Sequence, residues 1–161
     1  MFVELVRHAP SPVLVVKRRP VRAYKRIAVA SDLSETSVNA LKFAQSAFPN
    51  ATITLFHGLD MPLKAHVVDL EEVERGFRQI ELANTREWLA SVVGSRVDSI
   101  DIVNELGGVV RNLASYVADM KVDLVVVGSA GRTGLASAFA GSTAIEILER
   151  VDCDVLAVRQ G

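Results

Sequence analysis

A glycine-rich stretch between residues 128 and 143 has the types and spacing of residues that bind phosphate. Its pattern is G-x2-G-x9-G-S, formed by Gly128, Gly131, Gly141 and Ser142. Glycine lets backbone N–H groups approach a phosphate closely, and a helix that opens at Ser142 and Thr143 would add free N–H groups and two hydroxyls. Arg132 can supply a compensating positive charge. The stretch therefore predicts nucleotide or phosphate binding, and the alternative is a merely flexible loop.

Two better-known phosphate motifs do not fit this stretch. It contains no Gly-Lys-Ser/Thr, so it is not a Walker loop. It follows the fourth predicted strand rather than the first, so it is not a dinucleotide-binding fingerprint. The loop is also longer than the usual strand–helix connection, and long ordered loops tend to be functional.

Asp32 is the second residue whose position suits chemistry. It follows the buried-strand pattern Lys25–Ala30 and precedes Ser34, a predicted helix N-cap. A carboxylate there could accept hydrogen bonds from a ribose or a base, or bind a metal. Alone, Asp32 is better explained as a local cap, but together with the glycine-rich stretch it favours a ligand. His57, at another strand end, is expected to be a packing histidine, because no partner is placed to form a dyad with it.

The elements that must position these residues alternate between short β-branched runs and longer amphipathic runs from Tyr24 onward. The predicted strands are Lys25–Ala30, Thr52–His57, Ile100–Val103, Asp123–Val127 and Val155–Val158. Alternation of this kind predicts an α/β fold with a doubly wound parallel five-stranded sheet, order 3-2-1-4-5, and helices on both faces. That order reverses the winding between the first and fourth strands, where such sheets bind ligands. Asp32 and the glycine-rich stretch follow those two strands.

Four helices connect the predicted strands. The first begins at Ser34, the second runs from about Leu70 to Val93, the third from about Gly108 to Met120 and the fourth from Ser142 to Glu149. The apolar spacing of the second helix predicts a core-facing stripe. Its predicted members are Leu70, Val73, Phe77, Ile80, Trp88 and Val92, interrupted by Asn84.

Composition excludes several classes of protein. The 161 residues fit one domain with an extension, and the net charge of −1 argues against a nucleic-acid or anionic-membrane surface. A single cysteine, Cys153, excludes an internal disulfide and a multi-cysteine zinc site and suits a reducing compartment. No apolar run is long enough to span a membrane, and Val13–Val16 is too short for a signal-peptide core. We therefore expect a cytoplasmic globular protein.

The first 17 residues resemble the end of the chain. At an offset of 142 residues, four positions are identical: Glu4/Glu146, Val13/Val155, Leu14/Leu156 and Val16/Val158. Any helix end followed by a strand would look somewhat similar, which is the alternative explanation. The repeat predicts instead that residues 1–23 are an extension resembling the tail of a preceding copy of the domain in residues 24–161. Residues 13–16 would then lie antiparallel beside Val155–Val158, within the chain or exchanged with a second chain.

Residues 24–160 resemble the universal stress protein family. The matching stretches are KRIAVASDLSETSVNALKFA, TITLFHGLD, VDLVVVGSAGRTGLASAFAGST and DVLAVR, and the glycine spacing is that of the ATP-binding branch. The resemblance implies a flavodoxin-like fold, dimerisation through the last strands, and ATP, with or without Mg²⁺, held at the crevice. It implies these ligand-binding residues: Ala30, Ser31, Asp32, Gly58, Gly128, Ser129, Ala130, Gly131, Arg132, Gly141, Ser142 and Thr143.

Three departures from the family pattern bear on the site. Ala130 stands where a histidine is common, Gly58 stands where a branched apolar residue packs on adenine, and the family's Gly-x-Pro becomes Gly107-Gly108-Val109. Within the resemblance, Ala130 implies the loss of one phosphate contact, and Gly58 implies weaker contact with the base.

The predicted function is a regulatory module of the stress response that binds ATP with little or no turnover. No general base, catalytic lysine or metal pair accompanies the loop. One rival is a scaffold of the same fold that binds no nucleotide and only dimerises. A phosphoacceptor signalling domain is a weaker rival, because it needs clustered acids at the first strand and Asp32 stands alone.

Overall fold

The computed structural model describes residues 9–19, 21–61, 69–129 and 142–159. These residues form one six-stranded sheet in the order β1-β6-β5-β2-β3-β4. The strands are β1 (Val13–Val15), β2 (Arg26–Ser31), β3 (Thr52–Leu59), β4 (Ile100–Leu106), β5 (Leu124–Ser129) and β6 (Asp154–Arg159).

Helices cover both faces of this sheet. They are α1 (Glu35–Ala47), α2 (Leu70–Val93), α3 (Val109–Met120) and α4 (Ser142–Arg150), and a 3₁₀ turn, Gly94–Ser99, follows α2. Buried residues of α1 and α2 share one apolar cluster, and those of α3 and α4 share the other. Of the helices in the described ranges, none has the length and apolarity needed to cross a membrane.

The five strands after β1 are parallel and wind in two directions from β2. β2 pairs with β3 and then β3 with β4 on one side, whereas β5 and β6 extend the sheet on the other side. The predicted strand order and the flavodoxin-like α/β class are confirmed. The reversal lies between β2 and β5, whose carboxyl ends carry Asp32 and the glycine-rich stretch.

Burial on both faces explains the apolar composition of the central strands. In β5, Leu124 and Val126 face the cluster of α1 and α2, whereas Val125 and Val127 face the cluster of α3 and α4. A parallel strand with helices on both sides has no solvated face, so its sequence is a continuous apolar run rather than an alternating one.

The bounds of α2 match the prediction, but its predicted core-facing stripe is wrong in the first part of the helix; Trp88 and Val92 are half-buried against the apolar cluster, as predicted. Leu70, Val73 and Ile80 are 42%, 44% and 61% exposed, and the buried residues are Thr85, Leu89 and Val93. Only the last third of this 24-residue helix packs on the sheet, so the apolar spacing of its first turns does not mark the core.

The extra strand predicted from the repeat is present. β1 pairs antiparallel with β6 within the same chain. The segment between β1 and β2 donates backbone hydrogen bonds to two carboxylates, those of Asp154 and Asp123. Asp154 accepts hydrogen bonds from the backbone N–H of Lys17, and Asp123 accepts them from the backbone N–H groups of Lys25 and Arg26. The interpretation of residues 1–23 as the tail of an earlier copy stays a prediction.

Candidate functional site

Asp32 is held in a tight turn between β2 and α1. Its Oδ1 accepts hydrogen bonds from the backbone N–H of Ser34 (3.0 Å) and the hydroxyl of Ser37 (2.8 Å). The Ser37 hydroxyl in turn accepts one from the backbone N–H of Asp32 (3.1 Å). Within the described ranges no donor reaches Oδ2. The local cap and the ligand role are therefore compatible, because one oxygen fixes the side chain and the other is left for a ligand.

The backbone of this turn adopts an unusual conformation. Leu33 has a φ of 62°, in the left-handed region that side chains disfavour. Its N–H donates to the hydroxyl of Ser31 (3.0 Å), which helps to hold the turn. Strained backbone that the surroundings hold in place is common at functional sites.

Ser34 occupies the predicted N-cap position, but its side chain does not cap the helix. Its hydroxyl accepts no hydrogen bond from a backbone N–H of the first turn of α1, and it lies instead 2.9 Å from the hydroxyl of Thr36. Ser37, which sequence reasoning missed, is the residue that positions Asp32. The signal for it was the Asp-x-x-x-x-Ser spacing across a helix start.

Gly128 lies at the neighbouring strand end, against the start of α1. β2 and β5 are paired, with Ala30 opposite Val127, so Asp32 and Gly128 lie at the same edge of the sheet. A Cβ on Gly128 would lie 2.4 Å from the carbonyl oxygen of Thr36, which is backbone and cannot move independently. Glycine is therefore required here by packing, whatever else it does.

Gly58 faces α3 rather than open space. A Cβ at this position would lie 2.6 Å from Cγ2 of Val109 and 2.7 Å from its Cβ. Gly58 and Val109 are both departures from the family pattern, and they lie in contact. The valine side chain therefore fills the space that a branched residue at position 58 would need.

His57 is a bridging residue between two strand ends. Its Nδ1 lies 2.8 Å from the carbonyl oxygen of Ser31, which can only accept, so Nδ1 donates. The ring is half-buried beside Ser31, its register partner in β2. This contact fits the expectation of a packing histidine.

Burial limits what some of the predicted site residues can offer. Ala30 and Ser31 are 0% and 1% exposed, and Ser129 is 8% exposed. Ser142 is exposed and Thr143 is half-buried, both in the first turn of α4. β5 and β6 are parallel neighbours, and α4 connects the carboxyl end of β5 to the amino end of β6. The helix therefore begins near the carboxyl ends of the strands, and its first turn lies there. The predicted residues Ala130, Gly131, Arg132 and Gly141 lie outside the described residues.

A cavity of 570 Å³ lies elsewhere, at the amino ends of β5 and β6. Its lining includes Arg18, Arg22, Lys121, Asp123 and Cys153. Desolvation raises the pKa of the Cys153 thiol to about 11, so the thiol is protonated and unreactive at neutral pH. The cavity is separate from the crevice at Asp32.

Comparison with known proteins identifies the family directly. The model of the universal stress protein family matches residues 23–159. A universal stress protein of Synechocystis is 29% identical over 152 residues, covering 84% of this chain and 98% of its own. A universal stress protein E homolog of Haemophilus influenzae is 25% identical over 178 residues and covers 97% of this chain. This chain spans only 54% of that relative's length.

Solved structures share the fold at low identity. The universal stress protein UspA from Lactobacillus plantarum superposes with a TM-score of 0.64 at 21% identity, over 86% of this chain and 99% of its own. A universal stress protein from Archaeoglobus fulgidus gives 0.65 at 17% identity, over 98% of this chain and 54% of its own. A universal stress protein in complex with cAMP gives 0.57 at 19% identity, over 87% of this chain and 100% of its own.

The family model covers most of the chain, and the sheet order and winding reversal match what the family resemblance implied. The chain belongs to the universal stress protein family.

Proposed function

We propose that this protein is a cytoplasmic regulatory module of the stress response that binds ATP, with or without Mg²⁺, and turns it over little or not at all. The observation that carries the proposal is the hydrogen bonding of the Asp32 carboxylate. Its Oδ1 is fixed by Ser34 and Ser37, while Oδ2 has no donor within the described ranges and lies at the winding reversal. A carboxylate oxygen held in that way suits the hydroxyls of a ribose.

The residues present fit a nucleotide, because one group suits its nucleoside and another suits its phosphates. Asp32 would hold the nucleoside, and the first turn of α4, with its N–H groups and the hydroxyls of Ser142 and Thr143, would face the phosphates. Ala30 and Ser31 are too buried to offer side chains, so their contribution would come from the backbone. Gly128, Ser129 and the predicted residues Ala130, Gly131, Arg132 and Gly141 would complete the proposed phosphate loop. Gly58, which packs against Val109, would lie near the base without offering a side chain to it.

One solved structure of the same fold supports adenine nucleotides as the class of ligand. A universal stress protein of the same fold has been solved in complex with cAMP. Both cAMP and ATP carry an adenine, a ribose and phosphate, so the proposal must be tested with both. The rival function, a scaffold that binds no nucleotide, predicts no binding of either.

The test is Asp32→Asn, measured by calorimetric titration with ATP and with cAMP. Asparagine keeps an acceptor for the Ser34 N–H and the Ser37 hydroxyl but removes the negative charge offered by Oδ2. Losing a hydrogen bond to a charged group costs roughly 1.5–3 kcal/mol, so ATP affinity should fall about tenfold or more.

The matched control is Asp119→Asn, which removes the same charge from an exposed position on α3. ATP affinity should be unchanged in this variant. Equal ATP affinity for wild type and Asp32→Asn would contradict the role of Asp32, and binding of cAMP without ATP would contradict the choice of nucleotide.

A further inference from the structure

The cavity at the amino ends of β5 and β6 is enclosed by a segment that lies outside the parallel sheet. One wall is the link between β1 and β2, of which residues 18, 19 and 21–24 line the cavity, and the other is the end of α3 with the starts of β5 and β6. The volume of 570 Å³ lies within the range of roughly 300–1,000 Å³ that small-molecule sites have. Asp32 lies at the carboxyl ends of the strands, so a ligand in the cavity would not occupy the proposed nucleotide site.

The link that forms this wall is held in place by hydrogen bonds to the body of the domain. Asp154 accepts hydrogen bonds from the backbone N–H of Arg18 (3.2 Å) and from the hydroxyl of Tyr24 (2.7 Å). Asp123 accepts one from the guanidinium of Arg22 (3.0 Å). The wall is therefore formed before a ligand arrives, and binding would not have to order it.

The lining of the cavity carries one more positive charge than negative charges. Its cationic residues are Arg18, Arg19, Arg22 and Lys121, and its acidic residues are Asp123, Asp152 and Asp154. Arg22 and Asp123 form an ion pair with each other. Within the described part of the chain, Arg18, Arg19 and Lys121 take part in no ion pair. Their charges are therefore the ones left for a ligand.

The negative ends of the two helices beside the cavity are already compensated by other cations. The carbonyl oxygen of Met120, at the end of α3, accepts a hydrogen bond from Nη1 of Arg26 (2.8 Å). The carbonyl oxygen of Val151, directly after α4, accepts one from Nζ of Lys17 (2.6 Å). Because the partial negative charges at both helix ends have these partners, they do not use up the positive charge of the lining.

Apolar side chains share the lining with these charges. Val117 is buried in the core, whereas Val21, on the link, is 87% exposed. An apolar ligand in the cavity would remove such a side chain from water, which is favourable. Burial raises the pKa of the Cys153 thiol to about 11, and the positive charge of Arg18 is one of the charges that oppose this rise. The charge of Arg18 therefore acts on the buried side of the cavity.

We propose that this cavity binds a small organic anion, a single carboxylate on an apolar body. One negative charge balances the one excess positive charge of the lining, whereas a phosphate monoester carries nearly two. The guanidinium of Arg18 would bind both carboxylate oxygens, and the apolar body would lie against Val21 and Val117. The proposal is independent of nucleotide binding.

The first test compares three probes that share one apolar body. Naphthoate, naphthamide and naphthyl phosphate, substituted at the same ring carbon, are titrated calorimetrically into the intact protein. Naphthoate should bind at one site per chain, and neutral naphthamide about tenfold more weakly or worse. Equal affinities for these two, or no binding of naphthoate up to about 1 mM, would overturn the proposal. Tighter binding of naphthyl phosphate would overturn the choice of a carboxylate.

The second test removes the charge of Arg18. Arg18→Gln keeps the backbone N–H that donates to Asp154 but removes the guanidinium, so the affinity for naphthoate should fall about tenfold. Its affinities for naphthamide and for ATP should not change. Arg111→Gln, at an exposed position of α3 outside the lining, is the matched control and should bind naphthoate as wild type does. Unchanged naphthoate binding in Arg18→Gln would contradict the site.

The third test fills the cavity without changing its charge. Ala118 lines the cavity from an exposed position of α3, so Ala118→Trp should abolish the binding of naphthoate and naphthamide alike. Ser115→Trp, exposed on the same helix outside the lining, is the matched control and should leave binding intact. Circular dichroism checks that both variants fold, and Ala118→Leu replaces a tryptophan variant that does not. Naphthoate binding that persists in the folded, filled variant would place the ligand elsewhere and overturn the proposal.

Discussion

At the scale of single residues, Gly128 shows that packing alone can require a glycine at a position of a predicted ligand-binding motif. The carbonyl oxygen of Thr36 lies where a side chain on Gly128 would begin, so the end of β5 and the start of α1 can meet only through a glycine. This contact brings α1, which begins beside Asp32, close to the proposed phosphate loop. A substitution at Gly128 would therefore change the fold and the site together.

We predict that Gly128→Ala lowers the free energy of unfolding by about 1–3 kcal/mol, because the new Cβ meets backbone and forces β5 and α1 apart. Gly76→Ala is the matched control. Gly76 lies inside α2 with no atom within 4 Å of an added Cβ, so alanine should stabilise the helix by about 0.5–1 kcal/mol. Urea unfolding of both variants measures the difference, and equal effects would contradict the packing argument.

Gly58 shows which part of the site the sequence could not reveal. Asp32 was predictable because it lies two residues after the end of an apolar strand run, and Gly128 because its motif is local. The contact between Gly58 and Val109 joins residues on β3 and α3, and nothing local in the sequence marks it. The expectation of weaker contact with the base rested on the missing side chain of Gly58 alone. In the structure, the side chain of Val109 lies against that glycine and fills the space.

At the scale of elements, local patterns predicted which segments become strands and helices better than where they end. β3, β4 and β5 each continue past the predicted strand, through Gly58–Leu59, Asn104–Leu106 and Gly128–Ser129. Backbone pairing continues there through polar residues and glycines as well as leucines, because the ladder needs only N–H and carbonyl groups. These polar and glycine-containing ends of the strands are the part of the sheet that borders the site.

The attachment of β1 should depend on pH through Asp154. Desolvation by burial raises the pKa of this carboxyl, but the hydrogen bonds from Tyr24, Lys17 and Arg18 outweigh it, and the pKa is lowered. The stabilisation is therefore fully present above the unfolded pKa of about 3.9 and is lost as the pH falls through the lower folded value. Asp123, whose pKa is also lowered, adds a second contribution with the same sign.

We predict that Asp154→Asn lowers the free energy of unfolding at pH 7 by roughly 1–3 kcal/mol, because neutral asparagine accepts these hydrogen bonds less strongly than a carboxylate. The difference from wild type should shrink as the pH falls below about 4, because wild type then loses its own carboxylate. Asp152→Asn, at an exposed position two residues away, is the control and should change little. Chemical unfolding from pH 2.5 to pH 7 gives both curves, and a constant difference would contradict the assignment.

At the scale of the whole molecule, relatives of two lengths match different shares of the chain. The Synechocystis and Lactobacillus proteins are covered almost completely and leave about a seventh of this chain unmatched. The Haemophilus and Archaeoglobus proteins, of which this chain spans 54%, match 97% and 98% of it. The family model begins at residue 23. This division supports the proposal that residues 1–23 correspond to the tail of a preceding domain.

The central claim, that the crevice between β2 and β5 holds ATP, is tested most directly by titrating the intact protein with ATP, with and without Mg²⁺, after removal of any nucleotide that co-purifies. The account predicts one saturable site per chain that competes with cAMP if cAMP binds, and turnover far below the roughly 10 per second of dedicated enzymes. No saturable binding up to about 1 mM, where a site would contribute only about 4 kcal/mol, would contradict it and leave the non-binding scaffold.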